Sequence, residues 1–399
     1  METKTLAEIG TVVTGKTPST SRRDYYGGDV PFITPTELHA GRTVGPSAKT
    51  LSEAGLQSIK GSILEGTSVL VGCIGWDIGN VAMTNDRCAS NQQINAVTSI
   101  ISEVNPSYLY YWLSTKKDYL FSIASVTRTP ILSKSTFEQV KVPVPSRDAQ
   151  DGIARILGSI DDQIATNNQV NDNLQAILQT LYGYWFLQFD FPDENGRPYR
   201  SSGGRMVWND QLKREIPAGW LVVSITDHAD VYQPKTISSR LFDDSHPFPV
   251  YGGGGYIGRF NQFNHQESEV IISCRGDCGR VYLTMPESWV TGNAMVVHPR
   301  GDCLPKEYLY LLLKNSNLEH YVTGSVQKQL TRQNFELLPI LVPSRDVLER
   351  FTSFTKITIS RQLEIVRENR KLQELRDWLL PMLMNGQATV ANSDKLSFT

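Results

Sequence analysis

The pentapeptide VPSRD occurs twice, at Val144–Asp148 and Val342–Asp346, and the shift of 198 residues carries a whole pattern with it. FEQVKVPV (Phe137–Val144) precedes the first copy and FELLPILV (Phe335–Val342) the second. Further upstream, YLYYWL (Tyr108–Leu113) answers YLYLLL (Tyr308–Leu313), and VLVGCIGWDIGNV (Val69–Val81) answers VIISCRGDCGRV (Val270–Val281). A long stretch of helically spaced apolar residues follows each VPSRD. Almost half of the 399 residues are therefore one repeat unit, and any fold must be a duplicated one. Two like modules in one chain imply a pseudo-symmetric molecule that reads two like targets.

The stretches after each VPSRD keep a heptad spacing. Ile153, Ile160, Asn167, Leu174 and Leu181 recur every seventh position, with Leu157, Ile164, Asn171, Leu178 and Trp185 four residues after each. The second copy gives Phe351, Thr358, Ile365, Leu372 and Leu379 in the same register, with Arg361, Asn369 and Arg376 near the partner seam. Some 40 helical residues would reach roughly 60 Å at the rise of an α-helix, so each acts as a spacer. Matched registers favour pairing with each other, through Ile153, Leu157, Ile160, Ile164, Leu174, Leu178 and Leu181 on one helix and Phe351, Ile365, Leu372 and Leu379 on the other. Polar Asn167, Asn171 and Asn369 in the seams fix register or orientation at a cost in stability, or else contact a protein partner.

Short β-branched and aromatic runs (Val30–Ile33, Ser68–Ile74, Val270–Ser273, Ala294–Val297) between Gly, Pro and Asp turns, with helical stretches near Tyr108–Thr115 and Tyr308–Leu313, predict mixed α+β modules. The expected divisions are a module over 1–146, a long helix over 147–188, a turn-rich connector over 189–216, a second module over 217–343, a second long helix over 344–385, and a loose tail over 386–399. Pro381 and Gly386 mark the close of the second helix.

The formal net charge of −2 and pI near 6.3 exclude a strongly basic surface. Residues 1–146 carry 13 Lys and Arg against 12 Asp and Glu, and residues 217–343 carry 10 against 12, so a nucleic-acid site must be a local patch. No apolar run reaches the roughly 18 residues needed to span a bilayer, and METKTLAEIG lacks the pattern of a secretion signal, so a cytoplasmic protein is expected. Five cysteines, with Cys73 and Cys274 at matched places in apolar runs, read as reduced thiols. Cys274 and Cys278 have no second ligand pair at zinc spacing, and the six histidines (His39, His228, His246, His265, His298, His320) are scattered.

Two nucleotide motifs occur as strings. Gly10–Thr17 (GTVVTGKT) matches the phosphate-loop pattern, yet only nine residues precede it and Pro18 stands where the helix should begin. Its counterpart, Ala229–Thr236 (ADVYQPKT), keeps Lys235 and Thr236 but not the glycines; the shared Lys-Thr pair equally suits a DNA phosphate contact. Gly253, Gly255 and Gly258 satisfy GxGxxG inside VYGGGGYIGRF, where a tight β-turn is the simpler reading. Nucleophile-elbow, zinc-helix and amino-methyltransferase motifs are absent, which points to a non-catalytic recognition and scaffolding protein.

LQTLYGYWFLQFDF after the first helix, EIPAGW (Glu215–Trp220) opening the second module, and ELRDWLLPMLMNG (Glu374–Gly386) closing the second helix occur in that order on the repeat. So do PVYGGGGYIGRF and SVQKQLTRQNF (Ser325–Phe335). In this combination the chain resembles the specificity subunit of a type I DNA restriction-modification system. The resemblance implies an α+β chain of two mixed α/β target recognition domains in pseudo-twofold arrangement, separated by two long helices forming an antiparallel coiled coil. It also implies that each domain reads one half of a split double-stranded DNA site while the helices set the gap. Two methyltransferase (modification) subunits using S-adenosylmethionine would dock on the helices, and nuclease-translocase (restriction) subunits using ATP and magnesium would join them. None of these cofactors is expected in this chain, and no metal.

Base reading needs Arg, Lys, Asn or Gln at groove edges, and phosphate contacts need further basic residues. The candidates are Lys16, Arg22, Arg23, Arg87, Arg128 and Lys134 in the first module, and Lys235, Arg240, Arg259, Arg275, Gln327, Lys328 and Arg332 in the second. Three alternatives remain open on sequence: the specificity subunit of another phage-defence or methylation-only complex, an enzyme binding a nucleotide through Gly10–Thr17, and a coiled-coil scaffold without DNA contact.

Overall fold

The computed structural model describes residues 2–39, 41–125, 128–301, 304–324, 328–390 and 396–398. The chain forms two compact units, residues 1–167 with 368–399 and residues 168–367. Each contains one module and parts of both long helices.

In the first unit, strands β1 (Thr11–Thr14), β2 (Tyr26–Ile33), β3 (Ser68–Gly72), β4 (Val81–Thr84), β5 (Cys88–Ser90) and β6 (Ile94–Thr98) are followed by helices α1 (Pro106–Ser114) and α2 (Arg147–Tyr182). The order β1-β6-β3-β4 makes an antiparallel sheet, and β2 runs parallel to β5 with Phe32 opposite Ala89. β3, β4 and β6 are buried at every position, which explains their apolar, β-branched composition. Asn105 caps α1 by accepting from the backbone N–H groups of Ser107 and Tyr108, and Pro106 follows it at the position where a missing N–H costs nothing.

The second unit repeats the plan with β7 (Ala229–Tyr232), β8 (Phe248–Gly252), β9 (Gly255–Phe260), β10 (Val270–Ser273), β11 (Val281–Leu283), β12 (Trp289–Val290), β13 (Ala294–Pro299), α3 (Lys306–Lys314) and α4 (Arg345–Met384). Here β7-β13-β10-β11 is the antiparallel sheet, and β8 runs parallel to β12 with Val250 opposite Trp289. Even the registers agree: Val69 faces Met83 in the first sheet and Val270 faces Leu283 in the second.

Within each unit the long helices meet in antiparallel sense. In the first, Arg376 Nη1 donates to Asp161 Oδ1 at 3.0 Å and Asn167 Nδ2 donates to Asn369 Oδ1 at 2.8 Å, both Asn side chains being buried. In the second, Gln362 Nε2 donates to the Asn171 carbonyl at 3.3 Å, and the Trp185 and Phe351 rings lie 5.5 Å apart. The seam residues also enter the module cores. Ile153, Leu157, Ile160 and Ile164 join Leu379, Leu383 and Met384 in the core of the first unit. Leu178, Phe351 and the aromatic run Tyr182, Trp185 and Phe186 join Tyr308 and Trp220 in that of the second, with Leu181 packed against it. Ile365 is buried, whereas Leu174 and Leu372 are half-buried and Arg361 is exposed beside Glu364.

Several expectations change. α4 runs through Pro381 rather than stopping there, and turns out at Gly386, whose φ of +73° needs no Cβ. The stretch after it, read from sequence as a loose tail, holds a short antiparallel pair, Ala388–Val390 with Leu396–Phe398. The phosphate-loop string fails on its backbone: Thr11–Thr14, inside it, is strand β1 paired with Thr98–Asn95, so these residues are committed to a sheet ladder. The glycine string Gly252–Gly255 is a hairpin turn joining β8 to β9, with Gly255 at φ +84°.

Cys73, Cys88, Cys274 and Cys278 are free thiols, and Cys303 lies outside the described residues. Burial pushes the Cys73 thiol up to about 12 and the Cys88 thiol to about 11. Because the thiolate is the nucleophile, iodoacetamide at about pH 8 is expected to spare both in native protein and modify both in urea; native modification of either would contradict their burial. Asn167→Leu removes a buried donor and is expected to cost about 1–3 kcal/mol in denaturant unfolding, while Asn167→Leu with Asn369→Leu recovers part of it. A double variant no more stable than the single one would contradict the pairing.

Candidate nucleic-acid interface

The connection leaving β3 is built on the same backbone as the one leaving β10. In the first unit the Cys73 N–H donates to Gln93 O at 2.8 Å, the Leu132 N–H to Cys73 O at 2.9 Å, the Gly72 N–H to Asn80 O at 2.9 Å and the Gly79 N–H to Gly72 O at 3.1 Å. In the second, the Cys274 N–H donates to Asn293 O at 3.2 Å, the Leu330 N–H to Cys274 O at 3.1 Å, the Ser273 N–H to Arg280 O at 2.8 Å and the Gly279 N–H to Ser273 O at 2.9 Å. Gly75 and Gly79 sit at φ +68° and +83°, Gly276 and Gly279 at +75° and +88°, so two left-handed positions recur in matched places. Ile74 bridges Ile131, and Arg275 bridges Gln329. Each loop is thus held between the turn before β6 or β13 (Gln93, Asn293) and the segment before a short helix, Lys134–Glu138 or Arg332–Phe335.

On this shared backbone the side chains differ. The first loop is one residue longer and presents Trp76, 89% exposed and stacked 6.0 Å from Phe121. Exposed Arg128 and Ile131 lie on the segment that pins it. The second loop presents exposed Arg275, and its pinning segment exposed Lys328, whose carbonyl accepts from the Cys278 thiol at 3.2 Å. Lys16 and Lys235 stand beside the same loops. The Lys16 N–H donates to Ser90 O at 2.8 Å and Thr17 Oγ1 to Gln92 Oε1 at 2.7 Å, while a Cβ on Gly292 would lie 2.6 Å from Thr236 Oγ1. One face of each module therefore gathers a lysine, a turn with exposed amides (Gln92 in one, Asn293 in the other) and the variable loop.

Other candidates lie differently. Arg259 is only 4% exposed and donates through Nε and Nη2 to the His246 and Pro247 carbonyls, so it holds a turn and is withdrawn from the reading set. Arg22 is held by Asp24 at 2.7 Å and lies over the Tyr25 ring; Arg87 is held by Glu53 at 2.6 Å. Lys134 and Arg332 sit two residues after Leu132 and Leu330, each facing a glutamate one helical turn on, Glu138 at 3.7 Å and Glu336 at 2.8 Å. Arg23 and Arg240 are exposed on short turns at Arg23–Tyr25 and Ser239–Leu241. Gln327 lies outside the described residues. Sequence reasoning missed Trp76, Gln92 and Asn293. The correspondence of Val69–Val81 with Val270–Val281 already marked the loop where one residue is gained.

A duplicated α+β chain organised on two long helices, with one variable loop face per module, is the class these features define. The family model for the type I restriction modification DNA specificity domain matches residues 1–176 and 217–366, and the chain belongs to that family. The type I restriction enzyme MjaIX specificity subunit of Methanocaldococcus jannaschii is 26% identical, over 98% of this chain and 94% of that one. The HindI specificity subunit of Haemophilus influenzae is 32% identical, over 71% of this chain and 78% of its own length. Among solved structures, the type I restriction-modification S subunit from M. genitalium has the same fold, with a TM-score of 0.61 at 14% identity, over 96% of this chain and 95% of that one. Among the described residues no helix is long and apolar enough to cross a membrane, and no cluster of metal-ligating side chains occurs.

Salt is expected to act strongly on this interface. Reversing Lys16 or Lys235 to Glu should weaken DNA binding across sequences and flatten the salt dependence by about one unit of slope. An unchanged slope would remove these lysines from the phosphate contacts.

Proposed function

We propose that this chain is the non-catalytic DNA-recognition subunit of a type I restriction-modification complex, each module reading one part of a split, asymmetric double-stranded site. The observation that carries the reading is the pair of loops, Cys73–Asn80 and Cys274–Arg280, which share a backbone and left-handed glycines yet display Trp76 in one and Arg275 in the other. A scaffold held constant while its displayed groups change is what two readers of different sequences require. Arg275 and Lys328 offer donors to guanine edges; Trp76 with Phe121 offers an apolar face to thymine methyl groups, with Arg128 beside it. Lys16 and Lys235 take phosphates and set the register of each module on the duplex.

In this reading the long helices set the gap between half-sites and carry the methyltransferase subunits. S-adenosylmethionine serves those subunits, and ATP with magnesium serves the nuclease-translocase subunits. The near-neutral charge of the modules leaves a share of the affinity to those partners.

Fluorescence anisotropy on duplexes scanned base by base, with this chain assembled with its methyltransferase, tests the proposal. Trp76→Ala and Arg128→Ala are expected to weaken or relax reading of one half-site by about ten- to a hundredfold, and Arg275→Ala and Lys328→Ala the other. Variants that disturb both half-sites equally, or neither, would refute separate reading by the two loops.

A further inference from the structure

The sheets of the two modules end differently. In the first, the outer edge of β4 is covered: the Met83 N–H donates to Arg42 O at 2.7 Å and the Val44 N–H to Met83 O at 2.9 Å, so residues 42–44 lie along the strand. Arg42 then reaches α2, where Nη2 donates to Asp162 Oδ1 at 2.5 Å, and reaches the Tyr111 hydroxyl at 3.4 Å. A Cβ on Gly158 would stand 2.6 Å from Arg42 Nη1, so this glycine leaves room for the plug.

Among the described residues the second module has no such plug. Residues 34–49 separate β2 from the returning strand Thr50–Leu51, whereas only Gly253 and Gly254 separate β8 from β9. Leu283 holds the place of Met83 in the ladder, in a pairing that turns its N–H and C=O away from β10. Beside that edge is a cleft of about 640 Å³ lined by Tyr282, Leu283, Tyr310 and Lys314 and by Leu363 and Val366 of α4. Asn171 and Gln175 of α2 also line it, and the Asn171 Oδ1 and Gln175 Nε2 atoms are buried with no partner among the described residues. A buried acceptor and a buried donor left unmatched are unfavourable, and a ligand that pairs with both relieves that.

We propose that this cleft is the docking site for an extended segment of a partner protein, which adds to the β11 edge and sets an Asn or Gln side chain against Asn171 and Gln175. Three features fix the chemistry. The outward N–H and C=O of Leu283 match a strand, as residues 42–44 match Met83. A carboxamide both donates to Asn171 Oδ1 and accepts from Gln175 Nε2, which neither a carboxylate nor a guanidinium does. A guanidinium like that of Arg42 would also meet the Lys314 ammonium, and like charges repel. The tyrosine rings with Leu363 and Val366 take the segment's apolar neighbours.

The proposed docking does not rest on the DNA reading, although Gly279 and Arg280 of the second loop also line the cleft, so its test uses the full chain without DNA. The probe is a synthetic peptide copying residues 39–47 with Arg42→Gln, compared with the unaltered peptide. The Gln peptide is expected to bind and to slow exchange of the Leu283 amide at least about tenfold, the Arg peptide binding more weakly by a similar factor. Leu283→Pro deletes the outward N–H while sparing the ladder, a change edge strands tolerate, and should weaken the Gln peptide about tenfold. Asn171→Ala with Gln175→Ala, on a helix, should weaken the Gln peptide and reduce the preference for Gln over Arg to the part that Lys314 supplies. No binding by the Gln peptide, or binding indifferent to both variants, would overturn the proposal.

Discussion

Neither module closes its core with its own residues. In the first unit Leu379 and Leu383, from the far end of the chain, are 2% and 3% exposed among residues of the first module. In the second, Leu178, Tyr182, Trp185 and Phe186, which precede that module in sequence, pack around Tyr308, Trp220 and Phe351. Each large apolar side chain so buried contributes about 1.5–3 kcal/mol. The antiparallel meeting of helix ends is thus part of the core of each unit. The buried Asn167–Asn369 hydrogen bond adds specificity to that meeting, because sliding one helix along the other separates the two amides.

With the framework fixed by helix ends and by the antiparallel sheets, the loops at one face can change without repacking a core. The loops after β3 and β10 show how this works: their conserved geometry comes from backbone hydrogen bonds and left-handed glycines, neither of which involves the displayed side chains. An added residue such as Trp76 therefore alters the surface alone. The same logic covers the plug on β4, where an excursion present in one module and absent from the other changes what the sheet edge can hold.

Much of this was legible in the sequence because it is periodic or repeated. The heptad spacing marked the long helices and the 198-residue shift the duplication, while the seam asparagines left two readings open, a register lock or a partner contact, of which Asn167 and Asn369 take the first. What the sequence hid depends on tertiary accidents. The burial of Arg259 by two carbonyls is invisible in a string where it stands among glycines and aromatics. The neutralisation of Arg87 comes from Glu53, far along the chain, whereas that of Arg22 by Asp24 was within reach of local reasoning. Likewise, that Tyr182–Phe186 builds a core rather than merely ending a helix follows only from the partner it meets.

The central claim is that this chain alone selects the DNA site, in two parts. Long-read mapping of methylated bases in a host carrying its gene beside the neighbouring methyltransferase gene, against the same host without this chain, tests it most directly. The account predicts a split, asymmetric methylated motif that vanishes with the chain. A motif that persists without it, or a single uninterrupted motif, would contradict the account.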